Sequence, residues 1–570
     1  MFEHETRTFP IKTKSICPEC QKVIDATLYE EQGKVLMEKT CPEHGKVTDI
    51  YWGDAELFQK VERWWLDSIP LENPRTRENL GCPFDCGICN KHHSHTALAL
   101  IDVTNRCNLR CPICFANAAV TGYVYEPSLE QIRFMLENFR SNRPIPAPAV
   151  QFAGGEPTVR EDLPEIIRTA KEVGFQHVEI ATNAIRLSES VDYCQELKDA
   201  GLSTPYMQFD GLTPEPYKVA RGVNLLPKKM KAIENCRKAG LTSIVLVPTV
   251  VRGVNDNQIG DIINFAVKNV DVIRGIIFQP VSITGRIDES KRMDMRITIP
   301  DVMKKCEEQT EGKIKYQDFY PCSTPAPLSR ALGAYTGKSI VEFGNNVHCG
   351  MATIIRVEED GEYYPITHYV DVERFFGSLE KVAKDFEGGS LARAKGRVRA
   401  VTSALRFFKK KGTLFNLMRR VMSSGEYHAL GDFMRSIILV GMMHFQDPYN
   451  FDLERVNRCV IHYGTPDGRI IPFCTYNSIH RERVEKQFSI PIEEWRKQKG
   501  IKEVMVFLQG YGISTAMAIK IYKEYGNNAI EIIKQNPYRL ADDIFGIGFK
   551  TADKIAESLG VDPHSLYRIS

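Results

Sequence analysis

The run Leu98-Ala-Leu-Ile-Asp-Val-Thr-Asn-Arg-Cys107-Asn-Leu-Arg-Cys111-Pro-Ile-Cys114 decides how the rest of the chain is read. Residues 98–103 have the length and composition of a buried strand, and three cysteines follow at once. Three thiolates spaced C-x3-C-x2-C can hold three irons of a cubane cluster from one loop and leave the fourth iron open. A zinc site with a distant fourth ligand competes with that reading. It is weakened by the next strand, 149–153, which ends in Gly154-Gly155-Glu156-Pro157. Two glycines let backbone approach a ligand closely, and the glutamate offers an acceptor for a cationic amino group.

Outward from these motifs, short apolar runs alternate with amphipathic stretches: 98–103, 149–153, 177–182, 206–209, 244–250 and 275–279 against helical patterns such as 128–139, 163–173 and 257–267. Six β-α units in sequence predict an α/β fold, a parallel sheet curled into a partial (β/α)6 barrel over residues 96–300. Sites on such sheets lie at the carboxyl ends of the strands, where both motifs fall.

The cysteine loop and the Gly-Gly-Glu turn together resemble the radical S-adenosylmethionine (SAM) superfamily over about residues 96–300. The one departure is Ile113, where that family usually has an aromatic residue. The resemblance implies a [4Fe-4S] cluster on Cys107, Cys111 and Cys114. It also implies SAM chelating the open iron through its amino and carboxylate groups, and reductive cleavage to a 5′-deoxyadenosyl radical that abstracts hydrogen from unactivated carbon. Gly154, Gly155 and Glu156 are then expected to hold the SAM amino group. Asn183, Asp210 and Gln279, at later strand ends, are expected to meet the ligand or substrate, against an alternative of satisfied loop polar groups.

Sixteen cysteines in 570 residues, nine of them between Cys17 and Cys114, point to metal ligation rather than disulfides in a chain that opens without an apolar leader. In residues 1–95, Cys17-Pro-Glu-Cys20 and Cys41-Pro-Glu-His44 read as two knuckles of a rubredoxin-like or zinc-ribbon-like fold holding mononuclear iron or zinc. Cys82, Cys86 and Cys89 form a further triplet. His44, or one of His92, His93 and His95, is a candidate to complete the N-terminal sets, and those last three fit a solvated loop equally well. Residues 301–500 read as turns and short strands, with Cys322, Cys349, Cys459 and Cys474 as an auxiliary-cluster set or, alternatively, four core thiols. Cys194, Cys236 and Cys306 fall on predicted helices as packing residues.

Within that extension, residues 391–420 hold ten Lys or Arg and no acid, interleaved with aromatic and aliphatic residues. This suits an interfacial helix on an anionic membrane, a solvated helix packed on the barrel, or a contact with nucleic acid as the other anionic polymer. Residues 501–570 contain Gly510-Tyr-Gly512 and Gly546-Ile-Gly548, resembling the all-α helix–hairpin–helix region of RecD-type helicases. Eight basic and eight acidic side chains there predict at most weak nucleic-acid binding.

The whole chain carries 74 basic and 72 acidic side chains, which gives no global pull toward nucleic acid. No apolar run is long enough to span a membrane, so a cytoplasmic protein, peripheral at the inner membrane face, is expected. The layout of residues 1–500 resembles the archaeal tetraether lipid synthase group, also labelled dihydro-hydroxymethylpterin methyltransferase. The resemblance implies one or two auxiliary [4Fe-4S] clusters and a low-potential electron donor. The leading expectation is C–C coupling of two methyl termini of isoprenoid (phytanyl) ether lipids. The alternative is radical methylation of 7,8-dihydro-6-hydroxymethylpterin, with a metal-stabilised DNA-binding protein third.

Overall fold

The computed structural model describes residues 6–387, 395–396, 399, 406–407, 409, 435–509, 511, 513–562 and 567. Two compact units emerge, one of residues 1–120 with 126–488 and one of residues 121–125 with 489–570.

The first unit opens with a four-stranded antiparallel ribbon, β1 (Ile11–Ile16), β2 (Val23–Glu31), β3 (Lys34–Cys41) and β4 (Gly45–Trp52), paired in chain order. Gln32 and Gly33, at φ 52° and 74°, make the two-residue turn between β2 and β3, whose twist matches a hairpin when both residues are left-handed. Period-two alternation in β3 buries Val35 and Met37. Asp49 of β4 is locked to the rest of the unit by Arg296, which also bonds Asp447, with all three side chains fully buried. A buried charge set of this kind is costly to break once formed.

β5 (Leu98–Thr104) begins the barrel, while β6 (Tyr123–Tyr125) belongs to the second unit. β7 (Ala149–Gly154), β8 (His177–Thr182), β9 (Thr204–Gln208) and β10 (Ile244–Val247) follow; β11 (Thr249–Val250) pairs with β12 (Ile273–Pro280). Strands β5, β7, β8, β9, β10 and β12 lie side by side in chain order, all parallel, as the alternation of runs predicts.

Residues 301–488 extend this same sheet at both edges. β13 (Tyr320–Pro321), β14 (Gly350–Val357), β15 (Tyr363–Pro365) and β16 (Ile437–Met443) build outward from β12, through β16 in parallel. β17 (Ile461–Gly464) joins β5 in parallel and β18 (Ile470–Pro472) closes the hairpin. The extension is also more helical than its turn-rich sequence suggests, with helices Ala326–Thr336 and Val372–Glu387. In the second of these Leu379, Val382, Ala383 and Phe386 are buried at helical spacing, a pattern that the preceding turns obscure. Cys194, Cys236 and Cys306 are fully buried on helices, as expected of packing thiols.

The second unit pairs β19 (Ser489–Pro491) with β6 and continues as helices Ile492–Gln509, Thr515–Tyr525, Ala529–Gln535, Arg539–Asp543 and Phe549–Ser558. Val504, Leu508, Ile521, Ile533, Leu540 and Ile555 form its core. Gly546 turns the second hairpin at φ 100°, whereas Gly510 and Gly512 lie outside the described residues. Among the described residues no helix is long and apolar enough to cross a membrane.

Candidate active site

β5 ends at Thr104, and the loop after it is pinned at several points. Gly155 N–H donates to Thr104 O (2.7 Å) and Glu156 N–H to Arg106 O (2.9 Å). Ile113 N–H reaches Ala220 O (3.2 Å), and Cys114 exchanges both backbone bonds with Arg286 (3.1 and 2.8 Å). The thiols of Cys107, Cys111 and Cys114 are unpaired and half-buried on this one loop. They fit a cubane that takes three protein ligands. Burial and then Glu156 push the Cys107 thiol up to about 12, and burial raises Cys111 against the pull of Arg221. Metal must therefore displace protons when it binds here. Cys107, Asn108, Leu109, Arg221 and Gly222 line an adjoining cavity.

The two glycines have a specific reason to be glycine. A Cβ on Gly154, where φ is 116°, sits 2.2 Å from Thr104 O, and one on Gly155 sits 2.1 Å from Arg106 O. What approaches them is the cysteine loop itself. Glu156 is buried and already accepts from Thr158 N–H (3.2 Å), Thr158 Oγ1 (2.6 Å), Thr182 Oγ1 (2.7 Å) and Asn183 N–H (2.6 Å). Three of these bonds fall on Oε1 and one on Oε2, so Oε2 keeps the spare acceptor capacity.

Asn183 donates to Asn108 Oδ1 (2.7 Å) and accepts from Ile185 N–H (3.0 Å), bridging the β8 end to the cysteine loop. Asp210 is gripped bidentately by Arg221 (2.7 and 2.9 Å). Burial disfavours the Arg221 charge, and Asp210 overcomes this, so the guanidinium pKa is raised. Gln279 donates to Tyr206 OH (3.0 Å) across the barrel strands. All three carry the satisfied contacts of the alternative reading.

Sequence reasoning missed Arg221 and Lys229. Arg221 ends the helix Pro214–Arg221 and donates to Ile113 O (3.1 Å) in the cysteine loop. Lys229 is fully buried on helix Leu226–Lys238, donating to Asn183 O (2.5 Å) and Gln208 Oε1 (2.8 Å). Burial pulls its pKa down to about 7. Within Leu-Pro-Lys-Lys-Met-Lys nothing separates it from its solvated neighbours.

In the ribbon, Cys17, Cys20, Cys41 and His44 place one ligand atom each within 4.8 Å of one another. His44 Nδ1 stands 3.6 Å from Cys17 Sγ and 3.5 Å from Cys41 Sγ, and Cys20 Sγ is 3.8 Å from Cys41 Sγ. A tetrahedron with metal–sulfur bonds of about 2.3 Å has edges of about 3.8 Å, so this set fits one ion. The His44 hydrogen bond lowers Cys41 to about 6, toward the thiolate that binds metal.

Cys82, Cys86 and Cys89 surround a second small cavity, with His92 on its wall. His44 is used in the ribbon, His93 is exposed, and His95 spends its ring nitrogens on Ser68, Ile69 and Glu342. The C-terminal thiols come from both sheet edges: Cys322 and Cys349 flank β13 and β14, Cys459 and Cys474 flank β17 and β18. Arg455 donates to Cys349 Sγ (3.3 Å), and Gln446 N–H to Cys474 Sγ (3.3 Å). Burial pushes Cys322 and Cys459 up to about 12, and Cys349 adds to both shifts. Of residues 391–420, the described Arg399 pairs with Asp385 (2.9 Å) and Lys409 donates to Thr367 O (2.8 Å); Arg393, Arg397, Lys410, Lys411, Arg419 and Arg420 lie outside the described residues.

Three family profiles match the chain: an HMPTM N-terminal zinc ribbon domain at 9–53, the radical SAM superfamily at 101–266, and an ATP-dependent RecD2 DNA helicase HHH domain at 497–570. The chain is 50% identical over 498 residues to 7,8-dihydro-6-hydroxymethylpterin dimethyltransferase of Methanocaldococcus jannaschii, covering 86% of this chain and 98% of that protein. It is 27% identical over 269 residues to a probable GTP 3′,8-cyclase of Archaeoglobus fulgidus, covering 46% of this chain and 83% of that one. Among solved structures, HydG, a maturase of the [FeFe]-hydrogenase, aligns with TM-score 0.34 and 10% identity over 57% of this chain and 82% of its own.

Proposed function

The chain belongs to the radical SAM enzyme family of the Methanocaldococcus jannaschii protein, and from that membership we propose that it methylates ring carbon of a 7,8-dihydro-6-hydroxymethylpterin. The observation that carries this reading is the 50% identity across 86% of this chain and 98% of that relative. Isoprenoid coupling, first in order on sequence alone, rested on the layout of residues 1–500, with residues 391–420 favouring a lipid over a pterin, and has no comparable support.

A [4Fe-4S] cluster with SAM, when bound, supplies the one-electron chemistry that opens an unactivated C–H bond. The protein's own contribution is placement. Cys107, Cys111 and Cys114 would hold that cluster, and Gly154, Gly155 and Glu156 keep the β7 end against its loop. Glu156 Oε2 offers an acceptor to a cationic amino group, and Asn183 ties the β8 end to the cysteine loop through Asn108. Arg221, neutralised by Asp210, steadies the loop from the other side. One auxiliary cluster on Cys322, Cys349, Cys459 and Cys474 and a low-potential electron donor complete the proposal.

The test is anaerobic turnover of reconstituted protein with SAM, dithionite and the dihydropterin, read by mass spectrometry. A product heavier by one or two CH2 units, absent when Cys107, Cys111 and Cys114 are all Ala, supports methylation. Coupled isoprenoid chains from an ether lipid, with the pterin untouched, would replace this reading.

A further inference from the structure

Cys82-x3-Cys86-x2-Cys89 repeats the spacing of Cys107, Cys111 and Cys114, and a histidine follows it after two residues, at His92. A loop of that spacing presents three thiolates to three irons and leaves a fourth corner to be filled. The His92 backbone N–H donates to Cys89 O (3.1 Å), a turn that follows directly on the third thiol. The ring is 5% exposed and borders the cavity enclosed by the three cysteines.

Its far side is held in one orientation. His92 Nε2 faces Cys459 O at 2.8 Å, Ser94 Oγ at 2.9 Å and His462 Nε2 at 3.1 Å. A carbonyl only accepts, and the Ser94 hydroxyl already donates to that same carbonyl. Nε2 must therefore carry the ring proton. His462 completes the assignment: its Nδ1 lies 3.0 Å from Thr96 Oγ1, so a proton there leaves its Nε2 as a further acceptor. Nδ1 of His92 is left with a lone pair and no hydrogen-bond partner among the described residues. A ring that donates one N–H to a backbone carbonyl and keeps the other nitrogen bare is the usual state of a metal-ligating histidine.

We propose that His92 Nδ1 is the fourth protein ligand of an iron–sulfur cluster held by Cys82, Cys86 and Cys89. The other histidines raised by the sequence are committed elsewhere or exposed, and this assignment holds whichever substrate the barrel takes. His462, Thr96 and the Cys459 carbonyl then act as positioning groups for the ligand.

The test uses full-length protein with Cys107, Cys111 and Cys114 changed to Ala, reconstituted anaerobically with iron and sulfide and reduced. Pulsed EPR is expected to detect nitrogen coupling to a cluster, with the line shape altered by 15N-histidine labelling. His92→Cys should keep the iron and sulfide content, abolish that coupling and lower the midpoint potential, since a thiolate in place of imidazole favours the oxidised cluster. His92→Asn, which keeps a side chain of similar bulk, should lose the coupling as well. Coupling that persists in both variants, a cluster without nitrogen coupling in the parent, or zinc in place of iron at the triplet would each overturn the assignment.

Discussion

Arg221 and Asp210 form a two-bond ion pair (2.7 and 2.9 Å) whose guanidinium also donates to Ile113 O, inside the loop that carries the three barrel cysteines. The carboxylate thus acts on the cluster loop at one remove. Asp210→Asn leaves a buried cation uncompensated, a loss of about 3–5 kcal/mol. Urea unfolding of the metal-free variant should show a clearly lower midpoint, and reconstitution should load less iron on the barrel loop. An unchanged midpoint would mean that the pair is incidental.

Gly155→Ala forces a methyl to 2.1 Å from Arg106 O, which is backbone and cannot swing away. A loss of about 1–3 kcal/mol is expected, together with poor cluster loading. Gly377→Ala is the control: its Cβ meets nothing within 4 Å and it lies in helix Val372–Glu387, so the variant should be neutral or slightly more stable. Equal iron content in the two variants, measured colorimetrically, contradicts the packing argument.

His44→Ala removes one of four converging ligands from the ribbon. Elemental analysis should find one metal ion fewer per chain, while 5′-deoxyadenosine release at the barrel persists. Full metal content in the variant excludes His44 as a ligand.

Lys229 has a pKa pulled down to about 7 by burial, against an ordinary value of 10.5. Between those values the folded chain binds fewer protons than the unfolded one, so stability attributable to this residue increases with pH across that window and is lowest below pH 7. The melting temperature of the wild type relative to Lys229→Met should therefore climb from pH 6.5 to pH 9. A difference independent of pH would show that the amine stays charged in its pocket.

The parts legible in the sequence are those written in short covalent spacing. Cys107, Cys111 and Cys114 and the Gly-Gly-Glu turn each lie on one loop, and Cys17 with Cys20 and Cys41 with His44 each lie at one hairpin turn, so chain geometry alone brings each of these groups together. The six barrel strands were legible for a related reason, since buried parallel strands are unbroken apolar runs. Arg221 and Lys229 were not, because a charged residue on an amphipathic helix looks solvated until the neighbouring strand end is known. Helix Val372–Glu387 was hidden by the turns before it. The approach of Thr104 and Arg106 backbone to Gly154 and Gly155 was not legible, since no local pattern says that a glycine faces another stretch of backbone.

The placement of β17 beside β5, with Ile461 aligned to Leu98, has a consequence for how the protein is made. The strand that leads into the cysteine loop is among the first of the barrel to leave the ribosome, yet its outer edge stays bare until hundreds of further residues have been synthesised. Such late closure means slow maturation and a sticky intermediate in the meantime, for an uncovered edge invites pairing with other chains. A product truncated before residue 461 should accumulate as aggregates. Iron delivery to the nascent barrel then belongs after chain release, when the last hairpin has sealed the sheet.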